Sequence, residues 1–338
     1  MATITAGATI PVSAPFNTSP AYSGSFIPTL WSAKLNAKFY AATVFGEIAN
    51  TNWEGEIKGM GDKVVINNIP DITISTYQPG QGLSYQVPTP STIELQIDKG
   101  RYFAFQVNDL LVMQAQPKLM DMFSNDASMQ MKIQIDSNVI YNTFGSGSSS
   151  NKGATAGAKS GSYNLGTEGS PYQFNSSSSS AISLITSLAA VLDEQNVPET
   201  DRFLLISPAD RQALMNSNLQ QAYLTGDSQS ILRNGKIGML DRFTVYVSNQ
   251  LPWISASGTT WHPGAGDSTE SSLTSATTNA NKRRAIIAGH KSAITFASQM
   301  TKMETVRNPV DFGDFVRGVN VYGFKVAKPE ALALSVVY

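Results

Sequence analysis

Apolar and polar positions alternate with different periods along the chain, and each change of period marks a predicted element. Residues 1–28 carry Pro11, Pro15, Pro20 and Pro28, which favours an extended arm over a helix. Over 29–45, Trp31, Leu35, Phe39 and Ala42 fall at i, i+4, i+8 and i+11, one face of a helix with Lys34 and Lys38 on its flank. Two readings fit it: an amphipathic helix docked on its own core, or an arm helix whose lysines face a polyanion. From Lys63 to Val107 the period shortens to two. Residues 64–69, 71–77, 92–97 and 102–107 read as strands, and 78–90 as turn chemistry with Pro79, Gly80, Gly82, Pro88 and Pro90. The expectation is a long hairpin. Fourteen residues per arm, 64–77, at about 3.3 Å each give roughly 45 Å, and a lone two-stranded ribbon is marginal in water. It needs a surface from the rest of the chain or from a neighbouring copy.

Asn108 or Asp109 then caps a helical pattern, interrupted at Pro117, that runs to about Phe144. Leu119, Phe123, Ala127, Met131, Ile135 and Val139 repeat every fourth residue, and Met122, Met129, Ile133, Ile140 and Phe144 widen the apolar face. The element spans about 50 Å. Residues 145–180 are a Ser/Gly-rich stretch of low complexity with too little apolar content for a core of its own, so any order in it must come from contacts outside it. An α/β pattern follows: a helix over 181–196, a buried strand at 202–206, and a helix start at Ser207-Pro208-Ala209-Asp210. Strands are expected at 243–252, 283–290 and 293–297, with a second polar stretch at 254–282. The C-terminal segment is strand-rich to its last residue.

Composition changes this picture in one respect. Charged residues are 14% of the 338, against roughly 25% in ordinary soluble domains, while the hydrophobic fraction is 41%. Such a chain hides much of its surface against something else. The absence of cysteine excludes disulfides, thiol nucleophiles and Cys-ligated zinc, and two histidines, His262 and His290, are too few for a His-rich metal cluster. The formal net charge of −1 argues against a free nucleic-acid binder relying on excess Lys and Arg. The N-terminus lacks the features of a secretory signal, and no apolar run reaches the ~20 residues of a membrane span, so a soluble, unexported chain is expected.

Catalytic motifs are decoys. Asp311-Phe312-Gly313 lacks the rest of a kinase, Gly289-His290-Lys291-Ser292 lacks the upstream glycine of a phosphate loop, and Glu54/Glu56, Asp193/Glu194 and Asp311/Asp314 read as solvated acids. No catalytic, cofactor or metal site is expected.

The order of parts resembles the major capsid protein family of tailed bacteriophages, of podovirus and myovirus type, with the Hong Kong 97 fold. The stretches that carry the resemblance are FIPTLWSAKL (26–35), GEIKGMGDKVVINNIPDITISTY (55–77), ISPADRQAL (206–214), LRNGKIGML (232–240), VYVSNQLP (245–252) and VRGVNVYGFKVAKPEALA (316–333). The resemblance implies an α+β fold with residues 1–55 as N-terminal arm and 56–107 as an E-loop hairpin lying over an adjacent subunit. Residues 108–180 and 300–338 become a peripheral domain with a spine helix, and 181–299 an axial domain. It also implies self-assembly of hexamers and pentamers into an icosahedral shell around double-stranded DNA, within the virion and assembled in the host cytoplasm. The implied partners are further copies of the chain, a portal, a separate scaffolding protein and a decoration protein, with no membrane.

Within this reading Trp31, Leu35, Phe39, Tyr77 and Tyr85 are candidate subunit contacts, with ordinary intrachain packing as the alternative. Lys34 and Lys38 are candidates for facing DNA through its phosphates, and 145–180 and 254–282 are candidate contact loops. Some family members crosslink an E-loop lysine to a neighbour's asparagine. Here 64–98 contain neither Lys nor Arg, so no such crosslink is expected. An encapsulin-like compartment and a monomeric carbohydrate-binding or hydrolytic protein are the competing readings.

Overall fold

The computed structural model describes residues 43–52, 63–67, 69–70, 72–80, 82, 84–108, 119–174, 180–217, 238–254, 261–264, 283–309 and 312–338. Two sheets and a short hairpin organise them.

The larger sheet has the order β11-β8-β4-β6-β5. Its strands are β4 (Arg202–Ile206), β5 (Met239–Leu240), β6 (Phe243–Val247), β8 (Arg283–His290) and β11 (Leu332–Val337), and β7 (Trp253–Ile254) joins β8 beyond the end of β4. β4 and β6 are parallel, and the β8 and β11 pairings are antiparallel. β4 is buried at every position, as a central strand covered on both faces must be. Helix α3 (Ser180–Glu194) follows the expected 181–196 and buries Ala181, Leu184, Ile185, Leu188, Ala189, Val191 and Leu192 in the main core. Helix α4 (Pro208–Met215) starts where the sequence placed it. Ser207 Oγ accepts from the Asp210 N–H while Asp210 accepts from the Ser207 N–H, a capping box with Pro208 in the first turn.

The smaller sheet is antiparallel, in the order β3-β10-β9: β3 (Lys99–Asn108), β9 (Ile294–Arg307) and β10 (Gly313–Val326). Helix α2 (Leu119–Gly145) lies on one face, with Phe123 edge-on to Phe105 at 5.9 Å and Ser124 Oγ donating to Met303 Sδ at 3.6 Å. Gly318 makes this packing possible, because a Cβ there would strike the Phe103 ring. The sheet is continuous with the main core: Ile294, Phe296 and Tyr322, at the other end of β9 and β10, are buried with the α3 residues.

Several expectations are corrected. The hairpin ladder is five residue pairs, β1 (Lys63–Asn67) against β2 (Thr92–Gln96), and no strand forms over 72–80 or 84–90. Pro79, Pro88 and Pro90 cannot donate to a ladder, which fits this shortening. Residues 102–107 leave the hairpin to pair with β10. Asn108 is the last residue of β3, α2 is described over Leu119–Gly145, and 109–118, where the expected helix start falls, lie outside the described residues. The last thirty-odd residues do not all join the sheet of the long helix: β10 does, but β11 crosses to the larger sheet, and β9 begins at Ile294, inside the expected axial segment.

The Ser/Gly segment folds on its own chain. β11 is an edge strand whose outer side is covered by residues 146–174. Val336 N donates to the Leu165 carbonyl, Tyr172 N to the Val336 carbonyl and Tyr338 N to the Tyr172 carbonyl. Asn151, fully buried, donates through Nδ2 to the carbonyls of Glu330 (2.7 Å) and Leu332 (2.8 Å) and accepts from Gln195 Nε2 (3.0 Å). Gly166, with φ of 78°, is required here, since a Cβ would run into the Val336 carbonyl. A low-complexity run thus closes a strand edge that would otherwise offer free N–H and C=O groups.

Candidate assembly surfaces

Beyond its short ladder the hairpin projects exposed apolar side chains. Ile69 is 95% exposed, Ile74 89%, Val87 87%, Tyr85 86% and Tyr77 69%. Residues 72–93 include no charged side chain. Thr73 N donates across this region to Gln86 Oε1 at 3.1 Å. A contiguous, uncharged apolar surface of this kind is the mark of a docking element. Its root is fixed: Leu95 and Ile97 pack against Ala297 and Val321 of the smaller sheet, and Lys63 pairs with Glu94 at 2.8 Å.

Two further surfaces are open. The face of the smaller sheet opposite α2 carries Tyr102, Phe315, Val319 and Val306 around a charged centre, where Glu304 accepts from Arg317 and Lys302. Those two cations, Lys302 first, hold the Glu304 carboxyl below its ordinary range. The N-terminal half of α2 exposes Met122, Phe123 and Met129, although its C-terminal half buries Ile133, Ile135, Val139 and Ile140.

Asp136 is a residue that pattern reading missed. It is fully buried on α2 and accepts from Val44 N (3.1 Å) and Phe45 N (2.9 Å), the start of helix α1 (Phe45–Ile48). Burial pushes its carboxyl up to about 6, against the pull of those two N–H groups. An acid inside the run Ile133, Ile135, Val139, Ile140 was the available signal.

The sequence decoys resolve into structure. Asp193 pairs with the buried Arg202 (2.7 Å), and Asp314 with Arg307 (3.3 Å). His290 turns back on its own loop, its Nδ1 2.7 Å from Ser292 Oγ and accepting from Ser292 N, and burial lowers its pKa. Among the described residues no group of His, Asp and Glu is placed to hold a metal ion, and no helix is long and apolar enough to cross a membrane. Tyr77 and Tyr85 are both exposed on the hairpin. Trp31, Lys34, Leu35, Lys38 and Phe39 lie outside the described residues.

This arrangement is the α+β Hong Kong 97-type fold of phage capsid proteins. The structure is similar to a protein of Mycobacterium phage Che8 (TM-score 0.68, 24% identity, covering 93% of this chain and 97% of that one). It is similar to the capsid protein of cyanophage P-SCSP1u (0.62, 16%, 98% and 99%) and to that of a native GTA particle (0.60, 13%, 96% and 99%). No curated protein matches the sequence. The profile of the family described as "Phage capsid protein" matches residues 91–335, well over half the chain, and the chain belongs to that family. It is a major capsid protein, a structural subunit of a bacteriophage's icosahedral shell.

Proposed function

We propose that this subunit assembles, without catalysis or covalent crosslinking, into hexamers and pentamers that enclose double-stranded DNA. The hairpin acts as an E-loop that lies across an adjacent copy, with Tyr77 and Tyr85 among its contacts. Trp31, Leu35 and Phe39 anchor the arm, and Lys34 and Lys38 face the packaged DNA. A portal, a separate scaffolding protein and a decoration protein complete the particle, which is put together in the host cytoplasm. The exposed hairpin, uncharged over 72–93, carries this reading, because burying its isoleucines and tyrosines against a neighbour removes from water the apolar area that a free subunit leaves wet.

The test is a Tyr77→Asp, Tyr85→Asp double variant viewed by negative-stain microscopy. It should keep the subunit's circular dichroism and yield no closed particles. Normal shells from the double variant would overturn the assignment of the hairpin as the assembly contact.

A further inference from the structure

The C-terminal half of α2 carries a polar stripe at helical spacing: Gln134, Asn138 and Asn142, with Ser137 and Tyr141 beside them. It does not face solvent freely. Arg101, on β3, stands across from it, and Pro263 closes one side, leaving a cavity of about 270 Å³. The Tyr141 hydroxyl donates to the Trp261 carbonyl at 3.3 Å and ties the 261–264 segment to the cavity wall.

The donors and acceptors in this cavity are unequal. Asn142 Nδ2 is spent on the Asn138 backbone carbonyl (2.8 Å) and on Asn138 Oδ1 (3.3 Å). With its oxygen so engaged, Asn138 turns its own Nδ2 donors away from Asn142. Arg101 is an exposed residue of the lining, in no ion pair with a described residue, and its guanidinium presents up to five N–H donors. In the lining, Ser137 is 2% exposed and its hydroxyl has no hydrogen-bond partner among the described residues. No carboxylate lines the cavity. The nearest acid on the helix, Asp136, is committed to Val44 and Phe45.

We propose that this cavity is an oxyanion site that takes a phosphate group, held by the Arg101 guanidinium and the Asn138 and Gln134 amides. Donors approach from the sheet on one side and from successive turns of the helix on the other, which suits a tetrahedral anion better than a planar one. A planar guanidinium paired with phosphate oxygens forms short, charge-assisted hydrogen bonds. The volume admits one phosphate together with the water that completes its shell. The ligand is either free inorganic phosphate or a phosphodiester of nucleic acid, and the shared chemistry is the phosphoryl oxygen.

Thermal unfolding of the full chain in inorganic phosphate, against chloride at equal ionic strength, tests the site. Phosphate should raise Tm saturably in the wild type. Arg101→Gln should weaken the apparent affinity about tenfold or more. Asn138→Asp keeps the acceptor that Asn142 uses and replaces the outward donor with a negative oxygen, so it should abolish the response. Each variant is read as its own difference with and without phosphate, so a change in unliganded stability does not disturb the comparison. A short DNA duplex added at saturating phosphate then separates the sources: competition assigns the site to nucleic acid, and none assigns it to free phosphate. No saturable effect in the wild type, or an equal effect in both variants, would overturn the proposal.

Discussion

Asp136 receives the backbone N–H of Val44 at 3.1 Å across 92 residues of chain, so one buried carboxylate on the long helix holds the start of the short helix α1. Its second oxygen has no partner among the described residues, and such burial makes the anion costly to keep there.

That cost gives the contact a pH dependence with a definite sign. The folded pKa is raised from 3.8 to about 6, so the folded chain holds a proton that the unfolded chain has lost over that interval. The resulting stability is complete below about pH 4 and lost as pH rises through about 6, a change of about 3 kcal/mol. The Asp136→Asn variant keeps an acceptor for both N–H groups and cannot titrate. Urea unfolding from pH 4 to 7.5 should therefore show the wild type losing stability relative to that variant. Parallel curves would refute it.

Asp210 serves both the capping box and Arg284, whose Nη2 lies 2.8 Å from Oδ1. Ser207→Ala removes the Oγ bonds to Asp210, the cap bond from its N–H and the hydroxyl's own bond to Oδ2, and should cost about 1 kcal/mol. Asp210→Ala also strands Arg284, and its loss should be about 3 kcal/mol. The two midpoints in a denaturant titration should differ in that order.

Asn151 joins the Ser/Gly segment to the last strand through two carbonyls and to α3 through Gln195. Truncation to alanine leaves the buried Leu332 carbonyl and two part-buried groups unpaired and should destabilise by about 2 kcal/mol. Hydrogen exchange should quicken at the amides of Tyr172, Val336 and Tyr338, and a protease should cut first within 146–174. Unchanged exchange there would show that the segment does not depend on Asn151.

Only Lys63 and Lys99 flank the hairpin, and each is occupied at home: Lys63 by Glu94, Lys99 by Asp98 at 3.1 Å and by the Phe324 ring at 5.1 Å. Boiled particles should run on a denaturing gel as a single band near 36.3 kDa. A ladder of multimers would contradict the proposed non-covalent shell.

The elements legible in the sequence were those fixed by local physics. A 3.6-residue apolar period and a Ser-Pro-x-Asp start announced α3 and α4, and unbroken apolar runs announced β4 and β8. The same periodicity overreached where pairing decides the outcome. Residues 71–77 alternate like a strand, yet the arm opposite carries Pro88 and Pro90, which have no N–H to donate, and no strand forms over the described 72–77.

The low charge, the missing cysteine and the ordering of arm, hairpin, helix and α/β lobe were determined by the sequence alone, and they suffice for the class of protein. Tertiary structure decided which surface is hidden. The Ser/Gly run, polar enough to suggest a loop for neighbours, spends its backbone groups on the edge of β11, because a strand edge satisfies N–H and C=O groups whatever the side chains are. The hairpin, apolar enough to suggest packing, remains exposed. Side-chain polarity is written residue by residue, whereas hydrogen-bond partners and the cavity beside Arg101 exist only between segments far apart in the chain.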